Sequence, residues 1–421
     1  MGLGQCSAIQ VPSGCSISYD RRVTSTQVDA AQLRGHWNLN PDVRFLNHGS
    51  FGACPAEVQA NQDMWRARME RDPVKFLGRE IHGLIDAARQ ELAAFVGAEP
   101  ANLVFVPNAT TGVNAVLRSL EWNEGDELLV TDHGYNACRN VAEFVTARAR
   151  GKLVTAKLPF PLQDAKQVVD AVLAEVTPKT RLVLLDHITS PTALILPVEE
   201  LIEALHERGV EVMIDGAHAP GMVDLKLEEL GADYYTGNCH KWLCAPKGAA
   251  FLWARADRRA QIRPTTISHG ANNARPGFSR LQDEFDWGGT DDPSAFLAVP
   301  TAIRFLASLV PGGWDEIRGH NHGLCVAGRT MILEALDLPV PAPSAMLGSI
   351  ASIPVALGDP DAPLGAFEVD PLQVNLFETH RIEVPIFSWP SPRQRLLRIS
   401  AQLYNDASDM RALATALVEP S

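Results

Sequence analysis

No apolar run in the sequence approaches the about 20 residues that a membrane-crossing helix needs, so no bilayer span is expected. Residues 1 to 30 lack an apolar stretch between a basic start and a small-residue cleavage site, so no signal peptide is expected either. Positive charge is in short supply: 37 basic residues face 50 acidic ones, a net charge of −13. That balance argues against nucleic acid or an anionic membrane as partner, although a local site can still be positive. The seven cysteines, Cys6, Cys15, Cys54, Cys138, Cys239, Cys244 and Cys325, are scattered and odd in number, so no disulfide framework is implied and a reduced, cytoplasmic setting is the simpler reading. Cys239 and Cys244 bracket His240 at a spacing that fits no common zinc pattern, so no metal is expected. There is no G-x-G-x-x-G and no Walker lysine pattern, which removes support for nucleotide binding. The absence of G-x-S-x-G and H-E-x-x-H weakens a hydrolase or zinc-protease reading.

What is present is an ordinary globular composition, 46 % apolar and 21 % charged over 421 residues, enough for two or three domains of core. After a loose arm over 1 to 30, Arg44 to Pro55 reads as a short strand, a Gly-rich bend and a helix opened by Pro55, about 56 to 71, which Asp72-Pro73 breaks. A second helix, about 79 to 96, places Ile81, Leu84, Ile85, Ala88, Leu92 and Phe95 on one face, and Gly97 closes it. Strands and helices then alternate. Strand candidates begin at Leu103, Glu127, Lys152, Arg181, Val210, Asp233 and Ala249. Seven short β-rich runs separated by helix-length segments predict an α/β fold with a mostly parallel seven-stranded sheet covered on both faces. The last two runs have no helix between them, which predicts one antiparallel strand. Residues 265 to 293 read as a long loop, either functional or an inter-subunit element, and strands near 350 to 356, 383 to 388 and 396 to 401 as a smaller α+β domain. The expected division is 1–30 arm, 31–75 N-terminal segment packing on the small domain, 76–295 large domain and 296–421 small domain.

Ligands of doubly wound sheets gather beyond the carboxyl ends of the strands. Polar clusters stand at five such ends: Asn108 to Gly112, Asp132 to Asn136, Asp186 to Ser190, Asp215 to His218, and Asn238 to Lys241. Asp215 follows an apolar strand, so it is either a turn residue or a buried carboxylate that can keep a pyridinium nitrogen protonated. Lys241, between His240 and Trp242, is either an exposed charge or a desolvated amine suited to Schiff-base chemistry. Together they point to pyridoxal 5'-phosphate. Asn108-Ala109-Thr110-Thr111-Gly112 opens a helix whose N–H groups and hydroxyls could cap locally or cradle a phosphate. Arg398 lies inside an apolar strand, where it needs a partner: a structural carboxylate or a substrate one.

These residues resemble a known family, the class V pyridoxal-phosphate enzymes of the aspartate aminotransferase fold (fold type I), and within it the isopenicillin N epimerase-like group. The likeness rests on Leu46 to Gly52, Asn108 to Gly112, Thr131 to Ala137, Ile214 to Gly221, Gly237 to Leu243, Trp287 to Thr290 and Arg398 to Asn405. It implies that Lys241 forms the Schiff base and that Asp215 holds the ring nitrogen. His218 and Thr189 would lie near the ring hydroxyl, and Thr110, Thr111, Asn238 and His240 near the phosphate. Either His133 or Tyr135 would stack on the ring. Thr290 would reach the phosphate of a neighbouring subunit, implying a homodimer with shared sites. Arg398 would clamp an amino-acid carboxylate, with Asn47, His48 and Ser50 lining the entrance.

Cysteine desulfurases of this class use a cysteine late in the chain. Here none follows Cys325, which falls in a helix, so persulfide-forming desulfuration is not expected. With Lys241 as base at the α-carbon, three outcomes remain: epimerisation, which needs a second acid such as Tyr135 or His48; β-elimination by a C–S lyase; or transamination. Epimerisation stands slightly ahead of elimination. A fold-retaining binding or regulatory protein without activity is the other class of reading.

Overall fold

The computed structural model describes residues 28–358 and 368–419. The expected arm lies outside the described residues up to position 27. Its last residues enter the helix Ala30–Arg34, where Asp29 caps the N–H of Gln32. The strands, in chain order, are β1 (Arg44–Phe45), β2 (Leu103–Val106), β3 (Glu127–Thr131), β4 (Lys152–Ala156), β5 (Thr180–Asp186) and β6 (Glu211–Asp215). They continue as β7 (Tyr234–Asn238), β8 (Ala250–Ala254), β9 (Ile350–Val355), β10 (Ile382–Glu383), β11 (Ile386–Ser388) and β12 (Arg395–Ser400).

Seven of them form one sheet in the order β2-β8-β7-β6-β5-β3-β4. β8 runs antiparallel to both neighbours, and the other strands share one direction. The strands read as near-continuous apolar runs because helices cover both faces. Core residues such as Leu185, Ile214 and Tyr235 lie on one side of the sheet, and Leu184, Met213 and Tyr234 on the other. Register aligns the carboxyl ends: Asp186 pairs with Asp215, and Asp215 with Thr236. The charged and polar residues that end these strands therefore meet in one place.

A second sheet, β11-β12-β9, is antiparallel. Its core packs on the helices Gly313–Ala335 and Ala407–Val418 through Ile332, Leu333, Met410 and Leu413. β1 pairs in parallel with β10, and Ser400 N–H donates to the Leu46 carbonyl. The stretch after β1 is thus fastened against β12, far away in sequence.

Three expectations change in detail. The single strand expected over 383–388 is two strands. Pro385 lies between them; it has no N–H for a ladder, while its carbonyl accepts from Arg398 N–H. The long loop at 265–293 contains the helix Arg280–Phe285, closed by a reciprocal Ser279–Gln282 capping box. Buried ion pairs hold it: Arg89 grips Asp286 at 2.9 and 2.7 Å, and Arg275 reaches Asp283 at 2.6 Å. Third, the break at Asp72-Pro73 is a relay: Asp72 caps a new turn that runs through a π-helical stretch, Phe76–Glu80, into Ile81–Val96.

The helix Ala109–Ser119 presses on β7 at Gly112, where a Cβ would stand 2.2 Å from Thr236 Oγ1. Gly112→Ala is expected to cost about 1–3 kcal/mol, the usual toll of overpacking. A chemical-denaturation midpoint unchanged from wild type would refute this close packing.

Candidate active site

Asp215 ends β6 and is almost fully buried. Its Oδ1 accepts the Ala217 N–H at 3.0 Å and its Oδ2 accepts the Cys138 thiol at 3.0 Å. Burial raises its pKa, and these donors together with Lys241 oppose the rise. The registered neighbour Asp186 is also buried, and burial followed by the charge of Asp215 holds its carboxyl well above the ordinary range. Neighbouring buried carboxyls do not both ionise cheaply, so burial and the charge of Asp215 favour the neutral form of Asp186, while Asp215 keeps the two donors above.

Lys241 follows β7 on a tight loop. Its Nζ stands 3.1 Å from His218 Nε2. Burial, then the charge of Arg398, pushes its pKa down to about 7 against the pull of Asp215 and Asp186. The amine is therefore substantially neutral near neutral pH, the form that attacks an aldehyde. His218 is buried, neutral and held from its other side by Trp242, whose indole N–H donates to Nδ1 at 3.4 Å.

His48 does not line the entrance. Its ring is fully buried, with Nε2 donating to the Lys241 carbonyl at 3.1 Å and Nδ1 receiving the Tyr404 hydroxyl at 2.8 Å. It braces the lysine loop from below, and burial lowers its pKa to about 3, so it offers no acid to a substrate.

At the start of the helix Ala109–Ser119, Asn108 Oδ1 accepts the Thr111 N–H at 2.9 Å and the Thr111 hydroxyl at 3.1 Å. Asn238 Oδ1 accepts the Ala109 N–H at 2.8 Å, so its oxygen shapes the turn and only its amide N–H groups remain for a ligand. Thr110 is left with its N–H and hydroxyl unpartnered among the described residues. His240 donates from Nδ1 to the Ala249 carbonyl at 3.0 Å, which leaves Nε2 free. Thr290 is exposed, and it borders with Thr111 a cavity of about 270 Å³ walled by Phe105, Phe285 and Trp287. This cavity flanks the start of the helix Ala109–Ser119 and does not touch Lys241.

Arg398 is buried in β12. Nη1 donates to the Ser190 carbonyl at 2.7 Å and hydroxyl at 3.0 Å, and Nη2 donates to Ser50 Oγ at 3.2 Å. The guanidinium lies 4.9 Å from the Phe387 ring centroid, and its Nε has no partner. The structural salt bridge held open above is absent: no carboxylate of the described residues pairs with it. Ser50 donates to Asn47 Oδ1 at 2.5 Å, and Asn47 in turn donates to Glu383 at 3.1 Å. Ser50 thus touches Arg398, and Asn47 supports Ser50 from behind.

His133 is sealed in, with Nδ1 2.8 Å from Thr192 Oγ1, Nε2 3.3 Å from the Leu158 carbonyl, and Trp389 edge-on at 4.5 Å. Thr189 joins that chain through Thr192 at 2.7 Å. Tyr135 is half exposed at the start of the helix Asn136–Arg148, within electrostatic reach of Cys138, Asp215 and Arg398. Sequence reading named Asp186 and Ser190 only within a polar cluster at a strand end and Trp242 only as the neighbour of Lys241, and it did not single out Cys138, Thr192 or Phe387. Asp186 had a signal, since it ends an apolar strand as Asp215 does. The last three are named only by what they touch.

A buried carboxylate and a desolvated amine across one row of strand ends are what a pyridoxal-phosphate enzyme of the aspartate aminotransferase fold requires. Residues 53–413 match the protein family described as aminotransferase class-V. The chain belongs to that family, and its cofactor is pyridoxal 5'-phosphate. Isopenicillin N epimerase from Amycolatopsis lactamdurans is 36% identical over 409 residues, covering 93% of this chain and 98% of its own. A probable chloroplastic L-cysteine desulfhydrase from Arabidopsis thaliana is 31% identical over 429 residues, covering 95% of this chain and 87% of its own. Among solved structures, the cystine C–S lyase C-DES in complex with cysteine persulfide superposes with a TM-score of 0.73 at 23% identity, over 90% of this chain and 97% of that one. No single described helix is long and apolar enough to cross a membrane. The residues present fit the cofactor: the free donors of Thr110 suit a phosphate, Asp215 a ring nitrogen and Lys241 an aldehyde.

Proposed function

We propose that this chain moves a proton at the α-carbon of an amino acid or peptide-like amino acid and, in its main reaction, epimerises that centre. The carrying observation is Arg398: a buried cation with no carboxylate partner among the described residues and an unpartnered Nε, a group built to receive a substrate carboxylate. Lys241 and Asp215 hold the cofactor at its two ends, with Thr110, the Asn238 amide and His240 at the phosphate, while Thr111 is turned to Asn108 and shapes the helix start. Bound there, the cofactor supplies an electron sink for charge that develops at the α-carbon.

Lys241 Nζ, neutral above about pH 7, accepts the α-proton. Tyr135 is the group left to return a proton from elsewhere, because His48 is sealed and His133 has both nitrogens engaged. Its hydroxyl pKa is raised by burial and then by Cys138 and Asp215, so it remains protonated and able to donate. Half exposed, it regains its proton from solvent while Lys241 releases its own. The exposed Thr290 beside the phosphate end supports a homodimer in which it completes the partner's site. A separate core around β9 and β12 supports a smaller C-terminal domain, while Leu297, Val299 and Ala302 belong with the large core rather than the small one.

A C–S lyase is the second reading, favoured by the desulfhydrase relatives; there the same proton removal expels a β-sulfur group. The described cysteines are all buried, and Cys325 lies in the small core, so neither reading relies on a cysteine nucleophile. Incubation of the holoenzyme with candidate amino acids in deuterated water separates them. Deuterium at the α-carbon with inversion is expected. Pyruvate with released thiol would assign the lyase, and no exchange with any amino acid would sink both.

A further inference from the structure

Trp242 touches no position where substrate is expected, yet it is one of the largest fully buried side chains and stands beside the lysine. Its ring packs against His48 at 4.7 Å, and His48 also holds the Lys241 carbonyl, so the indole is fixed relative to the lysine loop. Its N–H points at His218 Nδ1 across 3.4 Å, while His218 Nε2 faces Lys241 Nζ at 3.1 Å. An indole N–H only donates, and a neutral imidazole holds one proton on one of two nitrogens.

We propose that Trp242 is a positioning residue that sets the tautomer of His218, keeping Nδ1 an acceptor so that the ring's proton sits on Nε2 and is offered to the Lys241 end of the site. The inference rests on the cofactor-site reading and deepens it. A donor at Nε2 meets the lone pair of an unprotonated lysine nitrogen, as amine or as Schiff base, and disfavours its protonation. The opposite tautomer would accept from the protonated nitrogen and stabilise it. His218 is neutral throughout the working range because burial, then Lys241, Arg398 and His48, lower its pKa, so tautomer rather than charge is the variable. The other groups facing Lys241 are Arg398 from β12, Asp215 from β6, Asp186 from β5 and Cys138 from the helix Asn136–Arg148. None of them is altered by removing the indole N–H.

Trp242→Phe keeps an aromatic ring and deletes the donor. In full-chain holoenzyme, the pH midpoint of the lysine–cofactor absorption band is expected to rise by about half to one unit, the worth of one hydrogen bond. In a His218→Gln background the same change should leave the midpoint where it is, because a glutamine amide has no tautomer to set. An equal shift in both backgrounds, or none in either, overturns the inference and leaves Trp242 as packing. Should Trp242→Phe not fold, histidine-labelled wild type gives the tautomer directly by long-range proton–nitrogen correlation, with His218 assigned by its loss in His218→Gln. A proton on Nδ1 overturns the inference. A wild-type chain with no absorption band would overturn the cofactor reading and this inference together, whereas an unmoved band overturns this inference alone.

Discussion

Lys241→Ala is expected to leave a folded protein that has lost the visible absorption band, its bleaching by borohydride, and activity by about 10⁴-fold or more, since covalent attachment and the base at the α-carbon disappear together. The wild type should show a matching pH dependence. Lys241 has its pKa lowered from 10.5 to about 7, so the neutral amine predominates above pH 7 and declines tenfold per unit below it. The rate at which added cofactor forms the band on apoprotein should fall with that slope on the acid side. A rate flat from pH 5 to 8 would show that Lys241 is not the titrating group.

Arg398→Met is expected to separate function from stability. A buried carboxylate–guanidinium interaction, when one side is removed, typically costs about 3–5 kcal/mol. kcat/KM for an amino-acid substrate should therefore fall by about 10²–10³-fold or more, with the absorption band retained. Stability should hold or improve. Arg398 is a buried cation with no carboxylate partner among the described residues, held by Ser190, Ser50 and the Phe387 face, and burial pushes its pKa down to about 10. An apolar side chain of similar length removes that burden. A large loss of thermal stability would mean that Arg398 is a structural residue, contrary to the clamp.

Much of the fold was legible because its signals are local. β2, β4 and the helix Ala56–Arg71 fall where their apolar runs and breakers place them, and β8 is reversed because no helix separates it from β7. Asp215 and Lys241 were legible for a related reason: in a parallel sheet the ligand end of each strand is fixed by chain direction, so polar residues after successive apolar runs converge. The split between β10 and β11 carried a signal in Pro385 that a pattern of apolar residues passes over.

His48 and Arg398 mark the other limit. In the sequence, His48 looked like an entrance residue and Arg398 had two equal partners to choose from. His48 is instead committed to Tyr404, 356 residues away, and to the Lys241 backbone, 193 away. Arg398 is braced by Ser190 and Ser50, 208 and 348 positions distant, with no carboxylate among them. The sequence by itself determined the doubly wound sheet, the family and the strand ends that bring Asp215 and Lys241 together, because periodicity and chain direction need no distant partner. Tertiary structure alone decided which polar groups are spent on each other and which are left open for a ligand. Burial makes every hydrogen bond a choice between neighbours, and those neighbours come from opposite ends of the chain.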